Sequence, residues 1–146
     1  MKYLIAALAA SAAFVAVPAL AAGDAPDYEN GPVWDFTDVQ TKDGHFDDYM
    51  HFLDTTWKQQ EEALKAAGQI VDYKVFLVDH PRQSEPDIVL AQEYKNMAVF
   101  DMPVSQQYAL QARISGSVAK SDQEEVARGP IRTILDTILT REAILK

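Results

Sequence analysis

The chain has 146 residues, a net charge of −9 and no cysteine. This length favours a single domain, and the acidic residues, which are spread along the chain, oppose binding to nucleic-acid phosphates and to anionic membrane surfaces. The absence of cysteine excludes thiolate catalysis, thiolate metal sites and disulfide bonds.

Residues 1–21 have the pattern of a secretory signal peptide. Lys2 forms a short basic region, Leu4–Val17 is a predominantly apolar run that Pro18 ends, and Ala19–Ala21 matches the A-x-A cleavage signal. The run is short for a bilayer span, so a membrane anchor or a buried helix is the less favoured alternative. We therefore expect cleavage at or next to Ala21, a periplasmic or secreted protein, and no membrane attachment after cleavage.

The mature chain is expected to begin with a flexible leader over residues 22–32, because Gly23–Pro32 is polar and contains glycine and proline. The domain is expected over residues 33–146. Its first predicted element is a strand at Val33–Thr41, where the alternating residues leave both faces partly apolar. Lys42–Gly44 predicts a turn that leads into a helix.

The central predicted element is a helix from about His45 to Ala67, which Gly68 is expected to end in a left-handed conformation. Its apolar residues recur at helical spacing and form one stripe. The stripe consists of Phe46, Tyr49, Met50, Leu53, Trp57 and Leu64. We expect Trp57 to lie in the core, so that Trp57→Ala would cost about 3–5 kcal/mol of stability.

The next two predicted elements form a hairpin. Ile70–Val78 is rich in β-branched and aromatic residues, and the same pattern resumes over Asp87–Phe100, with the strand ending near Asn96. The segment between them, His80–Pro86, is polar and flanked by proline. Two strands joined by a short polar loop are typical of an antiparallel pair.

The C-terminal part predicts two helices and a last strand. A modest helix is expected at Val104–Ser117, and Ser121 predicts a capping box for a second helix that runs to about Leu135. Gly129-Pro130 lies inside this second helix and should kink or break it. Ile138–Lys146 is predicted to be the closing strand.

The predicted order β-α-β-β-α-β corresponds to an α+β, ferredoxin-like fold with a four-stranded antiparallel sheet. The right-handed crossover rule places the helices on one face of that sheet. The other face then carries exposed aromatic and apolar side chains, which usually require a cover. A second copy of the same sheet is the simplest cover, so we expect a homodimer.

Two segments carry a resemblance to a known superfamily. With this layout, Glu93–Ala98 after the hairpin and Arg141–Lys146 at the end resemble the dimeric α/β-barrel superfamily, over roughly residues 32–146. Its members include NIPSNAP-like proteins, EthD-like proteins, antibiotic-biosynthesis monooxygenases and haem-degrading monooxygenases. The resemblance implies that two sheets pair into a barrel and that ligands lie within the barrel or between sheet and helices. The activities in this superfamily vary, so the fold says little about function.

The haem-degrading members use an asparagine, a tryptophan and an axial histidine at set positions. Trp34, Asn96 and the three histidines of this chain do not match that spacing. No haem and no other cofactor is therefore predicted.

The candidate ligand-binding residues are those expected on the sheet face away from the helices. Aromatic side chains with a few polar groups are the usual composition of a small-molecule site. The set consists of Trp34, Phe36, Lys74, Phe76, Tyr94, Asn96 and Arg141. A dimer interface is enriched in the same residue types and is the favoured alternative, although a barrel dimer could contain both.

No recognisable catalytic motif is present, because the chain lacks the G-x-S-x-G, H-E-x-x-H, P-loop and Rossmann patterns. Asp47, Asp48 and His51 are helical neighbours that could hold a divalent ion. They lie opposite the apolar stripe, however, and a solvated acidic helix start is the favoured interpretation. No metal site is predicted.

The function predicted from these features is that of an exported, dimeric α/β-barrel protein that binds a small aromatic or lipophilic ligand. The alternative is a cofactor-independent monooxygenase or isomerase acting on such a ligand. In that alternative Tyr94, Asn96, Lys74 and Arg141 would position the substrate and stabilise an enolate-like anion.

Overall fold

The computed structural model describes residues 25–146. The predicted signal peptide, residues 1–21, lies outside the described residues. The elements, in chain order, are β1 (Tyr28–Thr41), α1 (Phe46–Phe52), a π-helical turn (Leu53–Trp57), α2 (Lys58–Ala66), β2 (Asp72–Leu77), β3 (Ile88–Tyr94), a 3-10 helix (Met97–Asp101), α3 (Val104–Ser115), α4 (Val118–Ala127) and β4 (Arg132–Leu145).

The strands form one four-stranded sheet in the order β2-β3-β1-β4. Each neighbouring pair is antiparallel. This order places the first and third strands at the centre and the second and fourth at the edges, as two split β-α-β units require. The predicted α+β, ferredoxin-like fold is confirmed.

The core lies between the helices and one face of the sheet. Tyr49 and Leu53, from the predicted helical stripe, are buried against Val39 of β1 and against Ile88 and Leu90 of β3. Side chains at alternate positions of a strand share a face, so this contact defines the helix-facing side of the sheet. Full burial of each such side chain contributes about 1.5–3 kcal/mol to folding.

The central helix is continuous through its π-helical turn, which shifts the phase of the residues that follow it. Trp57 ends this turn and is only partly buried. Its ring meets the ring of Tyr73 edge-on, with centroids 5.3 Å apart. We therefore expect Trp57→Ala to cost less than the loss of a fully buried tryptophan. Gly68, at φ 72°, ends the helix as predicted.

β1 begins at Tyr28 rather than at Val33, so part of the expected leader is strand. The reason is pairing with the end of β4, where Tyr28 lies opposite Leu145. A register shift follows Asn30. At Gly31 an added Cβ would lie 3.0 Å from the Cβ of Glu142, so the close approach of the two strands depends on glycine.

The prediction of a helix up to Leu135 is wrong. α4 ends at Ala127, and β4 occupies Arg132–Leu145. Pro130 cannot donate a helical hydrogen bond, and the β-branched residues after it favour a strand. The predicted helix start is also shifted, since the hydroxyl of Ser117, not Ser121, accepts the capping hydrogen bond from the backbone N–H of Lys120 at 3.0 Å.

Candidate ligand-binding cleft

Four of the predicted site residues share the sheet face that the helices do not cover, which we call the open face. Trp34 and Phe36 of β1 stack with ring centroids 6.0 Å apart. Lys74 of β2 places its Nζ 5.1 Å from the centre of the Trp34 ring. Phe76 follows Lys74 on the same face of β2. The common face predicted from strand alternation is therefore found for four of the seven residues.

The other three predicted site residues are not on the open face. Tyr94 and Arg141 both lie opposite Val33, which is buried on the helix-facing side. Asn96 follows β3, and its side chain accepts a hydrogen bond from the backbone N–H of Ala98 at 3.0 Å, which caps the 3-10 helix. The expectation of one common face is wrong for these three, because side-chain direction depends on strand parity and Asn96 is outside the strand.

Tyr94 lies in the wall of a cleft of about 280 Å³ between the end of β3, α2, the 3-10 helix and α3. Most of its lining is apolar, and three glutamines and the tyrosine add polar groups. The lining residues are Leu64, Gln69, Ile70, Tyr94, Val99, Phe100, Met102, Gln107, Leu110 and Gln111. The two aromatic rings of the cleft, Tyr94 and Phe100, have centroids 4.8 Å apart.

A hydrogen-bonded chain leads from the cleft wall into the interior. The hydroxyl of Tyr94 donates to Oε1 of Gln92 at 2.8 Å. The amide Nε2 of Gln92 donates to both carboxyl oxygens of Glu61 on α2, at 2.8 and 2.7 Å. Glu61 is only 3% exposed. A buried carboxyl is tolerated when hydrogen bonds satisfy it, as Gln92 does here.

Burial changes the acid-base properties of this cluster. It raises the pKa of Glu61 to about 7, although the hydrogen bond from Gln92 acts in the opposite direction. Burial also raises the pKa of Tyr94, and the negative charges of Asp35 and Glu61 add to that increase. The pKa of Asp35 is raised by burial as well. Among residues 25–146, no group donates a hydrogen bond to the buried Oδ1 of Asp35.

The position of Glu61 in the sequence is a signal of its burial. Glu61 follows Trp57 by four residues and precedes Leu64 by three, so it falls within the apolar stripe of the helix. A carboxylate at an inward position indicates a buried polar network. Gln92 precedes Tyr94 by two residues and therefore shares its face of β3.

None of the helices between residues 25 and 146 is long and apolar enough to cross a bilayer.

No protein-family model and no curated protein matches the sequence. Among solved structures, the chain is similar to HapK from Hahella chejuensis, with a TM-score of 0.52 and 9% identity over 75% of this chain and 91% of that chain. It is also similar to a dimeric ferredoxin-like protein from an uncultured marine organism, with a TM-score of 0.48 and 9% identity over 81% of this chain and 90% of that one. A nipsnap family protein of unknown function from Agrobacterium tumefaciens gives a TM-score of 0.48 and 11% identity, over 80% of this chain and 90% of that one.

At such identities the similarity concerns the fold alone. The chain is a ferredoxin-like α+β protein, and the loose resemblance drawn from its sequence is confirmed at the level of the fold.

Proposed function

We propose that this is an exported, homodimeric protein that binds a small aromatic or lipophilic ligand in the cleft beneath its helices. The observation that carries the binding role is the lining of the cleft, where apolar side chains surround a few amide groups and one phenol. Small-molecule sites combine these features. A cleft of about 280 Å³ suits a compound of one or two rings.

Ligand binding in the cleft can be tested with a substitution that fills the cleft. We expect the wild-type protein to bind β-naphthol, a two-ring probe, and the Leu110→Trp variant to lose at least about tenfold in affinity, because the added ring occupies the space. Tyr108→Trp is the matched control, since Tyr108 is on the same helix, is 57% exposed and does not line the cleft. Fluorescence titration measures both affinities. Equal affinities in the two variants would contradict binding in this cleft.

The homodimer proposal rests on the open face. Phe76 and Ile138 are 47% and 48% exposed there. Ile138 of β4 lies opposite Phe36, and Phe76 of β2 lies opposite Val89 of β3, so each of the four strands places an apolar side chain on this face. A second copy would bury this surface on both sheets at once. In this arrangement Trp34, Phe36, Lys74 and Phe76 belong to the interface between the two copies.

We expect the wild-type protein to sediment as a dimer at micromolar concentration and Phe76→Asp to sediment as a monomer, because a carboxylate at this position would lose its water between the two sheets at a high cost in free energy. Val126→Asp is the control, since Val126 is 78% exposed and lies on α4, which is not part of the open face. Sedimentation velocity separates the two states. A monomeric wild-type protein would exclude the proposed dimer.

Export is supported by the features of residues 1–21. N-terminal sequencing of the protein recovered from the periplasm or the medium tests it. A chain that begins near Ala22 supports export, and a chain that keeps Met1 contradicts it.

An enzymatic role is the second candidate, and one observation favours it. Burial raises the pKa of Glu61 to about 7, so this carboxyl group can gain or lose a proton near neutral pH. The set of Lys74, Tyr94, Asn96 and Arg141 does not support this role, because Lys74 lies on the opposite face of the sheet from Tyr94. Oxygen uptake or proton exchange that disappears in Glu61→Gln would support catalysis.

A further inference from the structure

The hydrogen bonds behind the cleft have a fixed direction when Glu61 is ionised. A carboxylate can only accept hydrogen bonds, so the Gln92 amide must turn its nitrogen towards Glu61. Its oxygen Oε1 then faces Tyr94, at 2.8 Å from the phenolic oxygen. Since Oε1 can only accept, the Tyr94 hydroxyl must donate its proton to Gln92. The Tyr94 hydroxyl then has no second proton to donate, and its oxygen can only accept a further hydrogen bond.

Two of the three glutamine amides of the cleft, those of Gln69 and Gln107, are oriented in the same sense. Gln107 donates from Nε2 to the backbone carbonyl of Met102 at 2.7 Å. Gln69 makes a longer contact of this kind, 3.5 Å from its Nε2 to the carbonyl oxygen of Ala67. Within residues 25–146 neither side-chain oxygen of these two glutamines accepts a hydrogen bond. The polar groups of the lining therefore offer acceptors that the protein itself does not use.

We propose that the cleft selects neutral ligands that carry a hydrogen-bond donor, such as a phenolic hydroxyl, with the Tyr94 oxygen as acceptor and with Glu61 and Gln92 holding the Tyr94 proton away from the cleft. This inference rests on the proposed ligand-binding function and names its ligand class. Tyr94 is the binding residue in this arrangement. Glu61 is a positioning residue that acts through Gln92.

The charges around Tyr94 explain why the ligand should be neutral. Asp35 and Glu61 are the charged groups whose negative charge reaches its hydroxyl. An anionic ligand would be repelled by both, whereas a neutral hydroxyl can donate without that cost. Hydroxylated aromatic compounds of one or two rings meet the demands of size, apolar lining and donor capacity.

The test compares β-naphthol with its methyl ether, which keeps the two rings and the oxygen but lacks the donor proton. In wild-type protein, at a pH above the pKa of about 7 of Glu61, β-naphthol should bind roughly 3- to 10-fold more tightly. Tyr94→Phe should reduce this preference to the part that the glutamine oxygens supply. Glu61→Gln should reduce it, because an amide at this position can either accept from or donate to Gln92, and both orientations of the chain become available.

The outcomes separate the inference from the function on which it rests. If neither probe binds wild-type protein, the proposed function fails. If both bind equally, the cleft is a binding site and the inference is wrong. A preference of undiminished size in Tyr94→Phe also overturns it. If Glu61→Gln weakens both probes by the same factor, Glu61 has only a structural role and the assignment of Glu61 as a positioning residue is overturned.

Discussion

Replacing Tyr49 by alanine is expected to lower the free energy of unfolding by about 3–5 kcal/mol. Tyr49 is the largest of the fully buried side chains among residues 25–146. Its ring stacks on Phe52 with centroids 5.6 Å apart, and the guanidinium carbon of Arg132 lies 6.0 Å from its centroid. The substitution removes these contacts and leaves a cavity that the sheet and the helix cannot both close. Urea unfolding measures the loss.

The matched control is Tyr108→Ala, which removes the same side chain from a position that is 57% exposed. Its effect should stay within about 0.5 kcal/mol, as is usual for surface substitutions. If Tyr49→Ala unfolded at the same urea concentration as Tyr108→Ala, this result would contradict the burial of Tyr49 between α1 and the sheet.

The second large effect is a change in how stability depends on pH when Glu61 is replaced by glutamine. The pKa of Glu61 is raised from 4.5 to about 7 by burial. Between these values the unfolded chain loses the proton while the folded chain keeps it. The stability contributed by this carboxyl is therefore complete at a pH below 4.5 and is lost as the pH rises to about 7. The loss amounts to about 3 kcal/mol.

Glu61→Gln removes this titration, so the variant should gain about 3 kcal/mol relative to wild type between acidic and neutral pH. Unfolding free energies measured at several pH values give the difference between the two proteins directly, and the contributions of other titrating groups cancel. Glu142→Gln, an exposed position on β4, should show no such trend. A constant difference between Glu61→Gln and wild type at all pH values would mean that Glu61 is not buried as described.

The sequence predicts the fold well where one pattern dominates. The stripe from Phe46 to Leu64 has a clear helical period, and Gly68 ends the helix because it adopts positive φ easily. Strand alternation and the right-handed crossover rule then restrict the topology to the observed order. The pattern fails after Gly129-Pro130, where the local sequence was compatible with a kinked helix. Pairing of β4 along the whole of β1 decides the outcome, and this contact between distant segments has no local signal.

The candidate site was predicted less well, for two physical reasons. A strand side chain changes face when the register moves by one residue, and pattern alone did not settle on which side Tyr94 and Arg141 lie. The cleft also depends on the 3-10 helix and on α3, whose positions follow from packing between distant segments. The side chains of Trp34 and Phe36 share a face of β1, and those of Lys74 and Phe76 share a face of β2, because the two members of each pair are two positions apart in one strand.

Mapping the binding site by NMR distinguishes a small aromatic ligand bound between the sheet and α3 from one bound on the open face. β-Naphthol titrated into uniformly labelled wild-type protein should shift the amide signals of Tyr94, Phe100 and Leu110. The signals of Trp34 and Phe76 on the open face should remain in place. Shifts at Trp34 and Phe76 without shifts at Leu110 would place the ligand on the open face and would exclude binding between the sheet and α3.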